Sequence, residues 1–147
     1  MKISTKGRYA LRVMIDLAQN SKGEYISLKE IAQRQEISIK YLEMVVSMLS
    51  KDNLVQSLRG KYGGYRLTRD PKEYTVGCIL KKMEGNLSPV SCLDGVNTCS
   101  RADHCITLPM WKQLDRAIDD YLESVTLQDL LDQKKFVFDE KDIINIE

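Results

Sequence analysis

Three of the four cysteines fall within fourteen residues of the chain: Cys92, Cys99 and Cys105. Their spacing is wider than the paired C-x2-4-C spacing of a zinc knuckle. In a reducing cytosol a disulfide between them would not persist. Three thiolates on one loop are soft donors of the kind that hold an iron–sulfur cluster. The pattern therefore indicates a metal or redox site, with zinc binding and thiol oxidation as alternatives to iron.

The segment that carries these cysteines, residues 86–107, is rich in Asn, Gly, Pro and Ser, which favour turns. We predict an irregular loop there and call it the cysteine loop. Cys78 lies outside it in an apolar helical pattern and is expected to be a buried small hydrophobic residue. The chain has one histidine, His104, and no Gly-rich phosphate loop, catalytic triad or His-Glu-x-x-His metal motif. We therefore do not expect an enzyme.

A helix-turn-helix is predicted upstream of the cysteine loop. A first amphipathic helix is expected over residues 4–19. The second helix begins with a capping box, in which Ser27 and Glu30 exchange hydrogen bonds. Ser38 caps the third helix, which continues to about Ser50. In a helix-turn-helix the second of the paired helices, here the third of the chain, enters the DNA major groove.

A basic hairpin follows these helices. Residues 53–58 and 65–67 are expected to form its two strands, and Arg59 and Lys61 flank its tip. Three glycines permit the positive backbone angles of a tight tip: Gly60, Gly63 and Gly64. Such a hairpin is typical of a wing that contacts the phosphate backbone or the minor groove. A solvated hairpin, or a winged helix used as a protein-interaction module, is the alternative.

The charge of the chain is unevenly distributed. Residues 1–70 contain thirteen Lys and Arg against seven Asp and Glu, a net charge of +6, whereas residues 71–147 carry −5. A basic first half indicates a polyanionic partner for that half. No apolar run is long enough to cross a bilayer, and charges interrupt the apolar stretch near the N-terminus. We expect a cytoplasmic protein without a membrane partner.

We divide the chain into five segments. A winged helix-turn-helix over 1–70 is followed by a connecting helix over 71–85, the cysteine loop, a long helix and a short helix over 108–133, and a tail over 134–147. The long helix carries an apolar stripe: Trp111, Leu114, Ile118, Tyr121, Leu122 and Val125. We predict that this stripe forms a dimer interface, with packing inside its own chain as the alternative. The fold class is mainly α with a small β-hairpin wing (α+β).

Several stretches together resemble one known family. STKGRYALRVMIDLA, ISLKEIAQRQEISIKYLE and RGKYGGYRL, followed by ITLPMW and SVTLQDLL, are similar to the IscR family of iron–sulfur regulators. This family belongs to the Rrf2 winged-helix superfamily, which also contains CymR and NsrR. The resemblance implies a homodimeric transcription regulator on a pseudo-palindromic double-stranded DNA operator. The third helix of each subunit would enter successive major grooves about 34 Å apart.

The resemblance also indicates which side chains contact DNA. Ser38, Lys40 and Tyr41 would lie at the groove end of the third helix, and Arg59 matches a wing arginine that reads the minor groove. Glu43 matches a glutamate that excludes some operator sequences. A carboxylate in the groove repels phosphates and accepts hydrogen bonds from donors such as the cytosine amine. A solvated helix face is the alternative for Glu43.

The cysteine loop coincides with the cluster-binding loop of the family, which implies a [2Fe–2S] or [4Fe–4S] cluster on the three cysteines. The fourth ligand departs from the family pattern. Leu108 occupies the position of the family's ligand histidine, and Arg8 occupies the position of an acidic ligand found in nitric-oxide sensors. The candidates for this ligand are His104, Asp103, Asp94 and an exogenous thiol or other small molecule. The implied function is a repressor of iron–sulfur assembly or cysteine-metabolism genes.

Overall fold

Capped helices and one hairpin build the first half of the chain. The computed structural model describes residues 2–95, 99–133 and 136. The winged helix comprises α1 (Thr5–Asn20), α2 (Leu28–Gln35), α3 (Ile39–Lys51), β1 (Val55–Leu58) and β2 (Gly64–Leu67). It is followed by α4 (Val76–Glu84), α5 (Leu108–Ser124) and α6 (Leu127–Asp132). Short 3-10 turns cover Pro71–Glu73, Ser91–Leu93 and Ala102–His104. The predicted fold class is confirmed.

Side-chain caps set where the helices begin. The Gly7 amide donates to Ser4 Oγ at 3.3 Å, and the Tyr41 amide donates to Ser38 Oγ at 3.2 Å. The predicted capping box also forms, because the Ser27 hydroxyl caps α2 and the Glu30 carboxylate accepts from the Ser27 amide. The Ser27 hydroxyl, and then its amide, lower the pKa of Glu30 by hydrogen bonding to its charged form. The sequence therefore placed these helix starts correctly.

The wing, β1 and β2 with the turn between them, is an antiparallel hairpin. It pairs Val55 with Leu67 at its base and Leu58 with Gly64 at its tip. Tyr65 also exchanges two backbone hydrogen bonds, of 2.9 and 2.8 Å, with Ile26. The wing is thereby attached to the residue that precedes the cap of α2.

The hairpin corrects two expectations. β1 begins at Val55 rather than residue 53, because Asn53 has a left-handed φ of 56° and turns the chain after α3. Gly63 does not have a positive φ, unlike Gly60 and Gly64. Position 63 requires glycine for another reason, because a Cβ there would overlap the Leu58 carbonyl oxygen. A Cβ at Gly64 would likewise overlap the Ile26 carbonyl. The glycine pair thus allows close backbone approach at the wing.

The main core lies where α1, α2, α3 and the wing meet. Its fully buried members on α1 are Ala10, Val13, Met14 and Leu17, and those on α3 are Leu42, Val45 and Leu49. A smaller cluster joins α4 to the start of α6: Val76, Leu80, Leu87 and Val125. Cys78 is half-buried against the main core, close to the prediction. The core therefore fixes α3 and the wing relative to α1.

The helix α5 differs from the others because none of its seventeen residues is buried within the chain. Three of its large apolar side chains are exposed: Met110 (50%), Leu114 (42%) and Tyr121 (59%). No helix in the described part of the chain is both long and apolar enough to span a membrane. The predicted tail, residues 134–147, lies outside the described residues except for Phe136.

Candidate nucleic-acid interface and cysteine loop

The outer face of α3 carries most of the side chains expected to meet DNA. Ser38, Lys40 and Glu43 are exposed. Tyr41 is half-buried, because its ring packs edge-on against Tyr9 with 5.4 Å between the centroids. Ser38 uses its hydroxyl as the helix cap, which still leaves a lone pair and its proton for a phosphate. The structure therefore presents three of these four residues on an open surface and ties the fourth to α1.

The wing places two cations at its tip and two on its returning arm. Arg59 and Lys61 are exposed in the turn, beside Tyr62 with 83% of its surface exposed. Arg66 instead lies over the Tyr25 ring at 4.5 Å and donates to the Gly23 carbonyl at 3.0 Å. The guanidinium of Arg69, which follows the returning strand, stacks over the Tyr74 ring. The tip is thus the part of the wing that offers accessible positive charge.

The cysteine loop holds its thiols at separate points along the loop. Cys92 is half-buried in the Ser91–Leu93 turn, Cys99 is exposed, and Cys105 is half-buried after the Ala102–His104 turn. All four cysteines lie within the described residues, and none of them forms a disulfide. The Thr107 hydroxyl lies 3.4 Å from Cys105 Sγ and lowers the pKa of that thiol by hydrogen bonding to the thiolate.

The donor chemistry of the loop fits an iron–sulfur cluster, since its three thiols supply soft sulfur ligands. Within residues 2–95, 99–133 and 136, however, no group of three Cys, His, Asp or Glu side chains converges on one point. Among the candidate fourth ligands, Asp94 accepts a 2.6 Å hydrogen bond from the Asn86 amide, and Asp103 and His104 lie on the turn before Cys105. The three cysteines share a loop without sharing a site in this structure.

Comparison with known proteins decides the family. The model of the Rrf2 family of iron-dependent transcriptional regulators matches residues 3–133. The chain belongs to the Rrf2 family. This Rrf2 protein is accordingly a DNA-binding transcriptional regulator rather than an enzyme.

Individual relatives agree with this assignment. The chain is 36% identical to the transcriptional regulator IscR of Pectobacterium atrosepticum, over 92% of this chain and 82% of that protein. Its fold is similar to that of CymR, the global cysteine regulator of B. subtilis, with a TM-score of 0.75 and 40% identity over 91% and 98% of the two chains. It is also similar to T. potens IscR, with a TM-score of 0.72 and 35% identity over 97% and 96%.

Sequence reasoning missed a buried carboxylate at the helix-turn-helix corner of this Rrf2 chain. Asp16 on α1 is 1% exposed and accepts two hydrogen bonds from Arg34, of 2.8 and 3.0 Å. Its Oδ2 also accepts a 2.8 Å bond from the Gln35 side chain. By accepting its hydrogen bonds, Asp16 raises the pKa of Arg34, which keeps the guanidinium charged. These contacts hold the corner where Glu36 takes a left-handed φ of 53°. A charge within the apolar face of α1 was the available indication.

A second missed residue joins the wing to the connecting segment. Tyr74 is fully buried, and its hydroxyl donates to the Leu54 carbonyl at 2.9 Å. The same oxygen accepts from the amides of Thr68 and Arg69, each at 2.9 Å. One side chain thus satisfies both ends of the hairpin. Nothing local in the sequence distinguishes this tyrosine from an ordinary core aromatic residue.

Two carboxylates connect α4 to its neighbours. Glu84, the last residue of α4, accepts from the Ser4 amide at 3.0 Å and from its hydroxyl at 2.6 Å. Glu123 on α5 accepts from Lys81 at 2.8 Å and from the Thr75 hydroxyl at 2.6 Å. Lys81, and then Thr75, lower the pKa of Glu123. The helix α4 is therefore tied to α1 at the point where the cysteine loop begins.

Proposed function

We propose that this Rrf2 protein is a homodimeric repressor of a pseudo-palindromic double-stranded DNA operator, and that the state of its cysteine loop sets its affinity. The observation that carries the DNA-binding part is the joint exposure of the outer face of α3 and the cationic wing tip on one rigid core. A helix suits the major groove, and exposed cations beside it suit phosphates or the minor groove.

Each predicted contact then has a role. Ser38, Lys40 and Tyr41 contact phosphates or base edges at the N-terminal end of α3, and Glu43 rejects sequences without a donor such as the cytosine amine. Arg59 enters the minor groove and Lys61 neutralises phosphate beside it. The basic charge of residues 1–70 favours the encounter with DNA.

The dimer part of the proposal rests on α5. A seventeen-residue helix with an apolar stripe and no buried residue leaves Met110, Leu114 and Tyr121 against water in a single chain. Burying apolar area yields about 25 cal/mol per Å², so pairing of two such helices is favourable. A two-fold pair would present two copies of α3 to two half-sites, as a pseudo-palindrome requires.

For the sensing part, we propose that Cys92, Cys99 and Cys105 hold an iron–sulfur cluster, with the fourth ligand taken from His104, Asp103, Asp94 or an exogenous thiol. When bound, the cluster supplies redox and iron sensitivity through its ligands. The loop begins directly after α4, which Glu84 joins to the N-terminus of α1. Rearrangement of the loop would therefore alter the winged helix, and a coupling of about 1–3 kcal/mol corresponds to about a 5–150-fold change in affinity.

A second candidate is sensing by thiol oxidation without iron, or with zinc. It is favoured by the exposed thiol of Cys99 and by the absence of a converged ligand group among the described residues. The similarity to CymR, a cysteine regulator, points the same way. The genes controlled would then belong to cysteine metabolism, and with a cluster they would include iron–sulfur assembly.

One experiment separates these candidates. Full-length protein is purified under anaerobic conditions, and its iron, acid-labile sulfide, zinc and visible absorption are measured. We expect iron and sulfide with absorption that is lost in air and in the Cys92→Ser variant, whereas Cys78→Ser, the control outside the loop, keeps it. Protein without iron or zinc that gains a disulfide in peroxide would support thiol sensing instead.

The wing provides a test of DNA binding. We expect Arg59→Ala to weaken binding to the selected operator by about 1–3 kcal/mol, the range for a good groove contact. Binding by the wild type should weaken steeply with added salt as counterions rebind. Titration of fluorescent duplex at several salt concentrations measures both effects. Lys112→Ala, on α5 outside the winged helix, is the matched control and should bind like the wild type.

A salt-independent interaction with DNA, or equal affinities for Arg59→Ala and the wild type, would contradict the assigned role of the wing. In that case a protein-interaction module would be the better description of the winged helix.

A further inference from the structure

Two large apolar side chains lie exposed on the recognition helix α3. Ile39 is 46% exposed and Met44 is 43% exposed. The apolar residues that α3 turns toward the core are almost fully buried: Leu42, Val45, Val46 and Leu49. Ile39 and Met44 therefore do not belong to the packed face of α3.

The positions of these side chains follow from helix geometry. With 3.6 residues per turn, Ile39 and Met44 lie on opposite sides of a polar strip formed by Lys40, Glu43 and Ser47. All three residues of that strip are exposed. The outward face of α3 is thus apolar at both margins and polar along its middle. This is the face that the proposed function places in the major groove.

The major groove offers one apolar group on its base edges, the C5-methyl group of thymine. Its other base-edge groups are hydrogen-bond donors and acceptors. Lys40 and Glu43 can pair with these groups, whereas an aliphatic side chain cannot. Isolated exposed apolar residues are common on protein surfaces and need no explanation. Here Ile39 and Met44 border the strip of α3 that faces away from the core. Their chemistry therefore affects which base edges this face of α3 can recognise.

We propose that Ile39 and Met44 are specificity-determining residues that each contact a thymine methyl group in every half-site. Along the helix axis the two residues are about 7.5 Å apart, at 1.5 Å rise per residue. Base pairs are spaced by about 3.4 Å along the duplex, so this axial separation corresponds to at most about two base-pair steps. This inference rests on the proposed DNA-binding function and adds to it which bases the margins of α3 select.

Replacement of thymine by uracil tests this contact directly, because it removes the methyl group and keeps every hydrogen-bonding group. A duplex is first selected from a randomised 30-base-pair library with the full-length protein. Each thymine of a half-site, together with its symmetry mate, is then replaced by uracil, and the affinity is measured by fluorescence anisotropy. One buried methyl group is worth about a fourfold change in affinity, so a symmetric pair is worth about fifteenfold.

For the wild type we expect this loss at two thymine positions of the half-site. Met44→Ala should abolish the uracil effect at one position and Ile39→Ala at the other, because the contact is already missing. Leu58→Ala removes an equally exposed side chain (49%) from the wing and should leave both uracil effects intact. Since all three side chains are exposed, the variants are expected to fold, which circular dichroism checks.

Two results would overturn the inference: a wild type indifferent to uracil at every thymine, or a uracil effect that persists unchanged in both α3 variants. If the library yields no enriched duplex and binding shows no dependence on salt, the proposed DNA-binding function fails instead. The two failures are therefore distinguishable.

Discussion

The Asp16→Ala variant is expected to be less stable than the wild type by about 2–4 kcal/mol. The substitution removes the acceptor of two hydrogen bonds from Arg34 and one from Gln35, in a site where Asp16 is 1% exposed. Removing one partner of a buried ion pair costs about 3–5 kcal/mol. The expected loss of stability is smaller here because the Arg34 side chain is 36% exposed and can be solvated after Asp16 is removed.

Urea unfolding at one fixed protein concentration measures this effect, because the stability of the proposed dimer would depend on concentration. Asp52→Ala is the matched control: its ion pair with Lys82, at 3.6 Å, is on the surface, and its loss should cost less than about 1 kcal/mol. Asp16→Asn, which keeps an oxygen acceptor, should fall between Asp16→Ala and the wild type. Equal stability of Asp16→Ala and Asp52→Ala would show that the corner does not depend on this carboxylate.

A loss of about 2–3 kcal/mol in unfolding free energy is expected for Tyr74→Phe. The phenyl ring still fills the core, but the amides of Thr68 and Arg69 lose the tyrosine hydroxyl. The Leu54 carbonyl loses it too and keeps only the 3.4 Å contact from the Thr68 hydroxyl. A buried backbone group left without a hydrogen bond costs about 1–3 kcal/mol, and the two amides are partly reached by water. The effect should be accompanied by faster amide hydrogen exchange in the wing.

Tyr62→Phe is the control for this prediction, because Tyr62 at the wing tip is 83% exposed. We expect its stability to remain within about 0.5 kcal/mol of the wild type. Unchanged stability or unchanged wing exchange in Tyr74→Phe would mean that the three backbone groups find water or other partners.

The helix-turn-helix and its caps could be predicted from the sequence because their determinants are local. Ser27 and Glu30, or Ser38 and Tyr41, are three residues apart and interact in almost any helix that begins there. The alternation of glycine and cation in RGKYGGY likewise indicated a hairpin tip. Its detail was partly wrong, since Gly63 is required by the approach of the Leu58 carbonyl rather than by a positive φ.

The relative positions of the three cysteines in the cysteine loop could not be predicted from local sequence patterns. Residue types indicated a soft-metal or redox site, yet in the described residues Cys92, Cys99 and Cys105 do not converge on one point. Convergence of three ligands from a loop without regular secondary structure depends on long-range packing and on the bound group itself. The role of the loop therefore stays a prediction, which the iron and sulfide analysis tests.

By itself the sequence determined the family fold: capped amphipathic helices, a glycine hairpin with a basic tip, and an apolar helix without an obvious partner. Only the tertiary structure decided that Asp16 locks Arg34 eighteen residues away and that Tyr74 joins both ends of the wing, twenty residues from Leu54. The reason is physical. Helix caps and periodicity act over a few residues, whereas burial of a charge or a hydroxyl is defined only once distant elements exclude water around it.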